Sequence, residues 1–119
     1  MKIKSFKLFE NEEVKSSQSF TSSQFDDFCE AVHAWSETAK QPVHWCLYGS
    51  PKVSTGYSKG WTKDSAKKFW NEFVKGDKTF TIAEADGKLV GVLHQGDKVE
   101  MAFDNFDKQF DLNKAKELI

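Results

Sequence analysis

The chain has 119 residues, 39% of them hydrophobic and 29% charged, with a formal net charge of −1. That is the balance of one soluble globular domain over residues 1–119, long enough to bury a core without disulfide or metal staples. No run approaches the roughly 18 apolar residues of a membrane span, and all 17 basic residues are lysine, which argues against arginine-based reading of DNA sequence and against arginine-clamp chemistry.

In chain order, "KIKSFKLF" (residues 2–9) reads as a strand of imperfect alternation. It carries no long apolar stretch and no small-residue cleavage site, so a cytoplasmic protein without a leader is expected. Residues 10–19 are acidic and serine-rich and read as a loop. "FTSSQFDDFCEAVHAW" then carries the clearest signal. Thr21 and Gln24 have the spacing of a capping box, and Phe20 and Phe25 that of a hydrophobic staple. Phe25, Phe28, Cys29, Val32 and Trp35 recur at helical spacing, and Asp26, Asp27 and Glu30 suit the positive end of the helix dipole. A helix over 22–39 is predicted, stopped by Pro42. "VHWCLY" (43–48) reads as a buried strand with Val43, Trp45 and Leu47 on one face. "GSPKVSTGYSKG" (49–60) is a long loop.

A second helix is predicted over 62–75, with Ala66, Phe69, Trp70, Phe73 and Val74 inward and Gly76 beyond its end. Three strand-like runs follow, separated by Asp86-Gly87 and by Gln95-Gly96-Asp97, the pattern of an antiparallel meander. A short helix follows Asp111. The expected fold is α+β with two layers, a mostly antiparallel sheet carrying two main helices on one face and the three-strand meander at its C-terminal end. The expected core contains Phe25, Phe28, Val32, Trp45, Leu47, Phe69, Phe73, Ile82, Val90 and Val92. Phe80–Gly96, "FTIAEADGKLVGVLHQG", resembles the central hairpin of the GNAT acetyltransferases, in which a strand, a D-G turn and an L-V-G strand recur. The resemblance implies a hairpin only, since the glycine-bearing acetyl-CoA signature of that family has no counterpart in "DNFDKQFDLNKAKELI" after Phe103.

The remaining motifs carry little chemistry. "GYSKG" (56–60) has the G-x-S-x-G form of a nucleophile elbow, but no strand leads directly into Ser58 and no helix directly leaves it, so Ser58 is expected to lack a partner base. His33, His44 and His94 are isolated and read as structural. Cys29 and Cys46 stand in apolar contexts without metal spacing and read as two buried thiols. No catalytic residue, metal site or cofactor is expected.

Charge is sorted along the chain: seven acids against one lysine over residues 10–37, and seven lysines against three acids over 52–78. Such segregation creates a local field despite a near-neutral total. Lysines with interleaved aromatics mark the candidate partner-binding residues: Lys52, Tyr57, Lys59, Trp61, Lys63 and Lys67. Trp61 reads equally well as a staple at the helix start. The expectation is a non-enzymatic binding protein that occupies another protein, in the manner of immunity proteins or of phage and mobile-element inhibitors of bacterial defence (anti-CRISPR-like). The alternatives are a nucleic-acid binder without sequence preference, acting on single strands through lysine and stacking, and an enzyme with an unrecognised site.

Overall fold

The computed structural model describes residues 17–48 and 63–119. The predicted strand at 2–9, the 49–60 loop with Ser58 and the predicted helix start at Thr62 lie outside the described residues.

Strand β1, Gln18–Phe20, leads through a single 3₁₀ turn at Ser22–Gln24 into helix α1, Phe25–Ala39. The Gln24 side chain closes the turn, its Oε1 accepting from the Thr21 N–H at 2.8 Å and from the Thr21 hydroxyl at 3.2 Å. The predicted apolar face is the buried one: Phe25, Phe28, Cys29, Val32 and Trp35. Lys40 ends the helix in the left-handed region at φ 56, and the Gln41 N–H reaches back to the Ser36 carbonyl at 3.3 Å, a closing bond of the Schellman type. Helix α2 is described over Lys63–Phe73, and Gly76 beyond it takes φ 65.

Strands β2 (Thr79–Ala85), β3 (Lys88–Gln95) and β4 (Lys98–Asp104) form the meander, and the whole sheet is antiparallel in the order β1-β2-β3-β4. Asp86 and Gly87, at φ 56 and 78, make the first hairpin turn. Two positive φ values in a two-residue loop belong to the type I′ turn, whose twist matches the strands. Gln18 and Ser19 of β1 fall in the 10–19 stretch read from the sequence as loop. Three residues are too few to register as a period, and it is pairing with β2 that makes Gln18–Phe20 a strand.

Register assigns the two sheet faces. Phe80 and Ile82 stand with Leu89, Gly91 and Leu93 on one face, while Thr81 and Ala83 stand with Val90 and Val92 on the other. The first face carries α1 and α2. Phe28 of α1 meets Phe80 edge to face at 5.5 Å between centroids, and Trp70 of α2 meets it at 6.0 Å. Phe28 also stacks on Trp70 at 4.5 Å. Each buried indole N–H has an acceptor, Trp45 on the Asp104 carbonyl at 2.7 Å and Trp70 on the Ser22 carbonyl at 2.9 Å, as buried tryptophan requires. The second face is covered by the chain end. Ala115 of α3 (Leu112–Lys116) packs with Val90, Val92 and Ala102, flanked by Phe110, Leu118 and Ile119.

Three sequence expectations are corrected. Residues 43–48 are not a strand. Val43, Trp45 and Leu47 are buried as the alternation predicts, but the segment joins no sheet, and the His44 N–H bonds instead to the carbonyl of Asn105 beyond β4 at 2.8 Å. Phe69 is not core: it is 37% exposed and leans on the half-buried Phe73 at 5.7 Å. Cys46 is half-buried, whereas Cys29 is fully buried, and neither is in a disulfide.

Candidate functional site

Of the six candidate contact residues, Lys52, Tyr57, Lys59 and Trp61 lie outside the described residues. Lys63 and Lys67 are on α2, one turn apart. Lys63 Nζ is 3.3 Å from Asp26 Oδ1, both side chains well exposed. The acidic and basic segments of the sequence therefore meet, α1's first turn against α2's. An exposed pair of this kind adds little stability.

Ala66, Trp70 and Val74 hold α2 on the sheet. At about 100° per residue, Lys68 then falls on the side away from the core and Lys67 on the flank of the buried stripe, while Lys75 lies just beyond the helix; all three are exposed. Asp64 and Glu72 dilute this outer face. Phe69 lies two residues from Lys67, roughly 200° around the axis, so it flanks the helix on a different side from the Lys63–Lys67 pair.

His94 is the one histidine with both ring nitrogens in close hydrogen bonds in a buried setting. Its Nδ1 is 2.7 Å from the Gly96 carbonyl and its Nε2 is 2.6 Å from Thr81 Oγ1, which is itself 2.7 Å from Ser19 Oγ. A carbonyl only accepts, so Nδ1 donates. In the neutral ring Nε2 then accepts from the Thr81 hydroxyl, and Thr81 accepts from Ser19. Thr81 is fully buried and His94 nearly so, while Ser19 ends the chain of bonds at the surface. Every polar atom of Thr81 and His94 is engaged within the fold, which is how buried polar groups are normally held. The arrangement reads as a cross-strand polar ladder joining β1, β2 and the β3–β4 turn, in keeping with a structural histidine.

The His44 ring lies tilted against Phe106, with centroids 5.9 Å apart. Cys46, on the same side of its segment, has its thiol pushed above the usual cysteine range by burial and, secondarily, by the Asp107 carboxylate. A raised pKa starves the thiolate, which is the nucleophilic form, so Cys46 is poorly suited to attack at neutral pH. Among the described residues no group of three or more His, Cys, Asp or Glu could hold a metal ion, and no helix is long and apolar enough to cross a membrane.

Sequence reasoning missed one concave feature. A shallow cleft of about 350 Å³ runs along β4 beside the 107–112 segment, lined by Glu100, Met101, Phe103, Asp107 and Leu112 among others. Its signal was slight: Met101 alternates with Val99 and Phe103 as a core residue would, and only the edge position of β4 leaves it 41% exposed.

Comparison with models of known protein families, with characterised proteins and with solved structures finds no match to this chain.

Proposed function

We propose that the protein acts by contact, as a small binding domain whose α2 outer face meets an acidic surface on a protein partner. The observation that supports this reading most is that Lys67 and Lys68 are exposed on a helix anchored by the fully buried Trp70, with the exposed Lys75 just beyond its end. A charged face on a rigid helix steers association and fixes orientation with little ordering cost. Inhibition of a host defence protein, or neutralisation of a toxin, is a role such a domain performs by occupancy alone.

The full chain is used to recover a partner from its native host, and the kinetics of that complex are then measured with Lys67→Glu/Lys68→Glu/Lys75→Glu. Lys63 is left intact because it pairs with Asp26. The triple variant should associate more slowly, with a flattened salt dependence and an unchanged melting temperature. Unaltered kinetics would place the contact elsewhere, the acidic start of α1 being the next surface to test. If instead the wild type binds an oligo-dT strand with an affinity that falls steeply with salt, as counterion release requires, the nucleic-acid reading replaces this one.

A further inference from the structure

We propose that the cleft beside β4 is a second binding site, one that takes the side chain of a lysine or arginine from an amphipathic basic segment of a partner. The described residues have four exposed large hydrophobics, and Met101 and Leu112, 41% and 42% exposed, both line this cleft. A third, Phe106, sits in the turn that follows β4. Ala102 and Phe103 complete an apolar wall, while Glu100 and Asp107 supply the charge. An apolar wall ending in carboxylates complements a side chain with an aliphatic stem and a cationic head, because such side chains bury the stem while the head stays at the polar rim.

The two acids are not equivalent. Glu100 is already held by Lys78 at 3.0 Å. Among the described residues no ion pair neutralises Asp107. Asp107 is fixed in the left-handed region at φ 64, with its N–H on the Asp104 carbonyl at 2.9 Å. The turn therefore fixes the backbone from which the carboxylate extends. Charge complementarity thus favours a cationic occupant, and the apolar wall excludes a bare inorganic cation as the best fit.

The chain contains two methionines, Met1 and Met101, so the labelled Met101 methyl group reports on the cleft almost alone. The full chain, ¹³C-labelled at the methionine methyls, is titrated with the blocked peptide Ac-Leu-Lys-Leu-Lys-NH₂ and with its Glu and Gln counterparts. The lysine peptide should shift the Met101 resonance saturably in the millimolar range or below, and the glutamate peptide should not. Asp107→Asn should weaken the lysine peptide about threefold to fivefold, the size of an exposed ion pair. Asn tolerates the left-handed backbone as Asp does, so an unchanged melting curve is expected and separates lost charge from lost fold. The proposal is overturned if the lysine peptide gives no saturable shift. It is equally overturned if the Gln peptide binds as well, or if Asp107→Asn changes nothing. None of these results bears on the α2 face.

Discussion

Replacing Asn105 with alanine tests how the 41–48 segment is held without a sheet. Strand β4 ends at Asp104, and the register that pairs Val90 with Asp104 would next set Leu89 opposite Asn105. The chain turns away there, and the Asn105 side chain replaces the missing strand. Its Oδ1 accepts from the Leu89 N–H at 3.1 Å, while its Nδ2 donates to the Pro42 carbonyl at 2.9 Å and to Gln41 Oε1 at 3.2 Å. Asn105 is fully buried and Leu89 nearly so. In Asn105→Ala the Leu89 N–H is left buried without its acceptor, at about 1–3 kcal/mol. Gln41 and Pro42 can turn to water, so their two bonds add only about 1 kcal/mol together. The expected loss is about 3 kcal/mol, a large fraction of the roughly 5–15 kcal/mol that holds a domain together. Urea unfolding followed by circular dichroism should show a lower midpoint at an unchanged slope. Asn105→Asp keeps the volume and the acceptor but, when ionised, cannot donate to Pro42. Burial beside acceptors raises the folded pKa of such a carboxyl above its unfolded value. Its penalty is therefore absent below the unfolded pKa and grows as pH rises through the folded one. A loss under about 1 kcal/mol for the alanine variant would show that the segment is held by Val43, Trp45 and Leu47 alone, and would refute this reasoning.

Gly91→Ala should destabilise by about 1–3 kcal/mol, although alanine is the better strand residue. An added Cβ would collide with the Phe80 ring and stand 3.1 Å from Trp45 Cη2. Recovery in the double variant with Phe80→Leu, measured by the same unfolding assay, would confirm the collision. Phe28→Ala should cost about 3–5 kcal/mol, whereas Phe69→Ala should cost under about 1.5 kcal/mol because Phe69 keeps much of its surface in water; equal losses would contradict the assignment of Phe69 to the surface. Cys46 should alkylate more slowly with iodoacetamide at neutral pH than a free cysteine, and speed up as pH rises through its raised pKa. Asp107→Asn should accelerate the reaction at fixed pH, since it removes one of the two causes of the shift. An unchanged rate would mean that burial alone controls the thiol.

Local chemistry determined much of this protein. The α1 face from Phe25 to Trp35, the Asp86-Gly87 hairpin, the Gly76 terminus and the Asp111 cap, which accepts from the Asn113 and Lys114 N–H groups, rest on spacing and on residues with special backbone freedom. These act within a few residues, so the sequence displays them. The meander was legible for the same reason, its strands being consecutive and joined by two-residue turns.

Tertiary structure decided the rest. Val43, Trp45 and Leu47 alternate like a strand, yet alternation reports only which side chains are buried, and whether a ladder forms depends on what lies alongside. Here that neighbour is Asn105, more than sixty residues away in sequence, and a single amide supplies what a strand would. Phe69 fits the helical period of α2, but the buried stripe centres on Ala66, Trp70 and Val74 and leaves it at the flank. Val90 and Val92 are core, as their hydrophobicity requires. Only the placement of α3 determines that they are covered by the chain end rather than by α1 and α2. Of the six candidate contacts that the sequence pointed to, only Lys63 and Lys67 lie among the described residues. That Lys63 is partnered by Asp26 follows from the approach of elements far apart in the chain, and that Met101 and Asp107 share a cleft follows from how the chain turns back beside β4, neither of which a local pattern records.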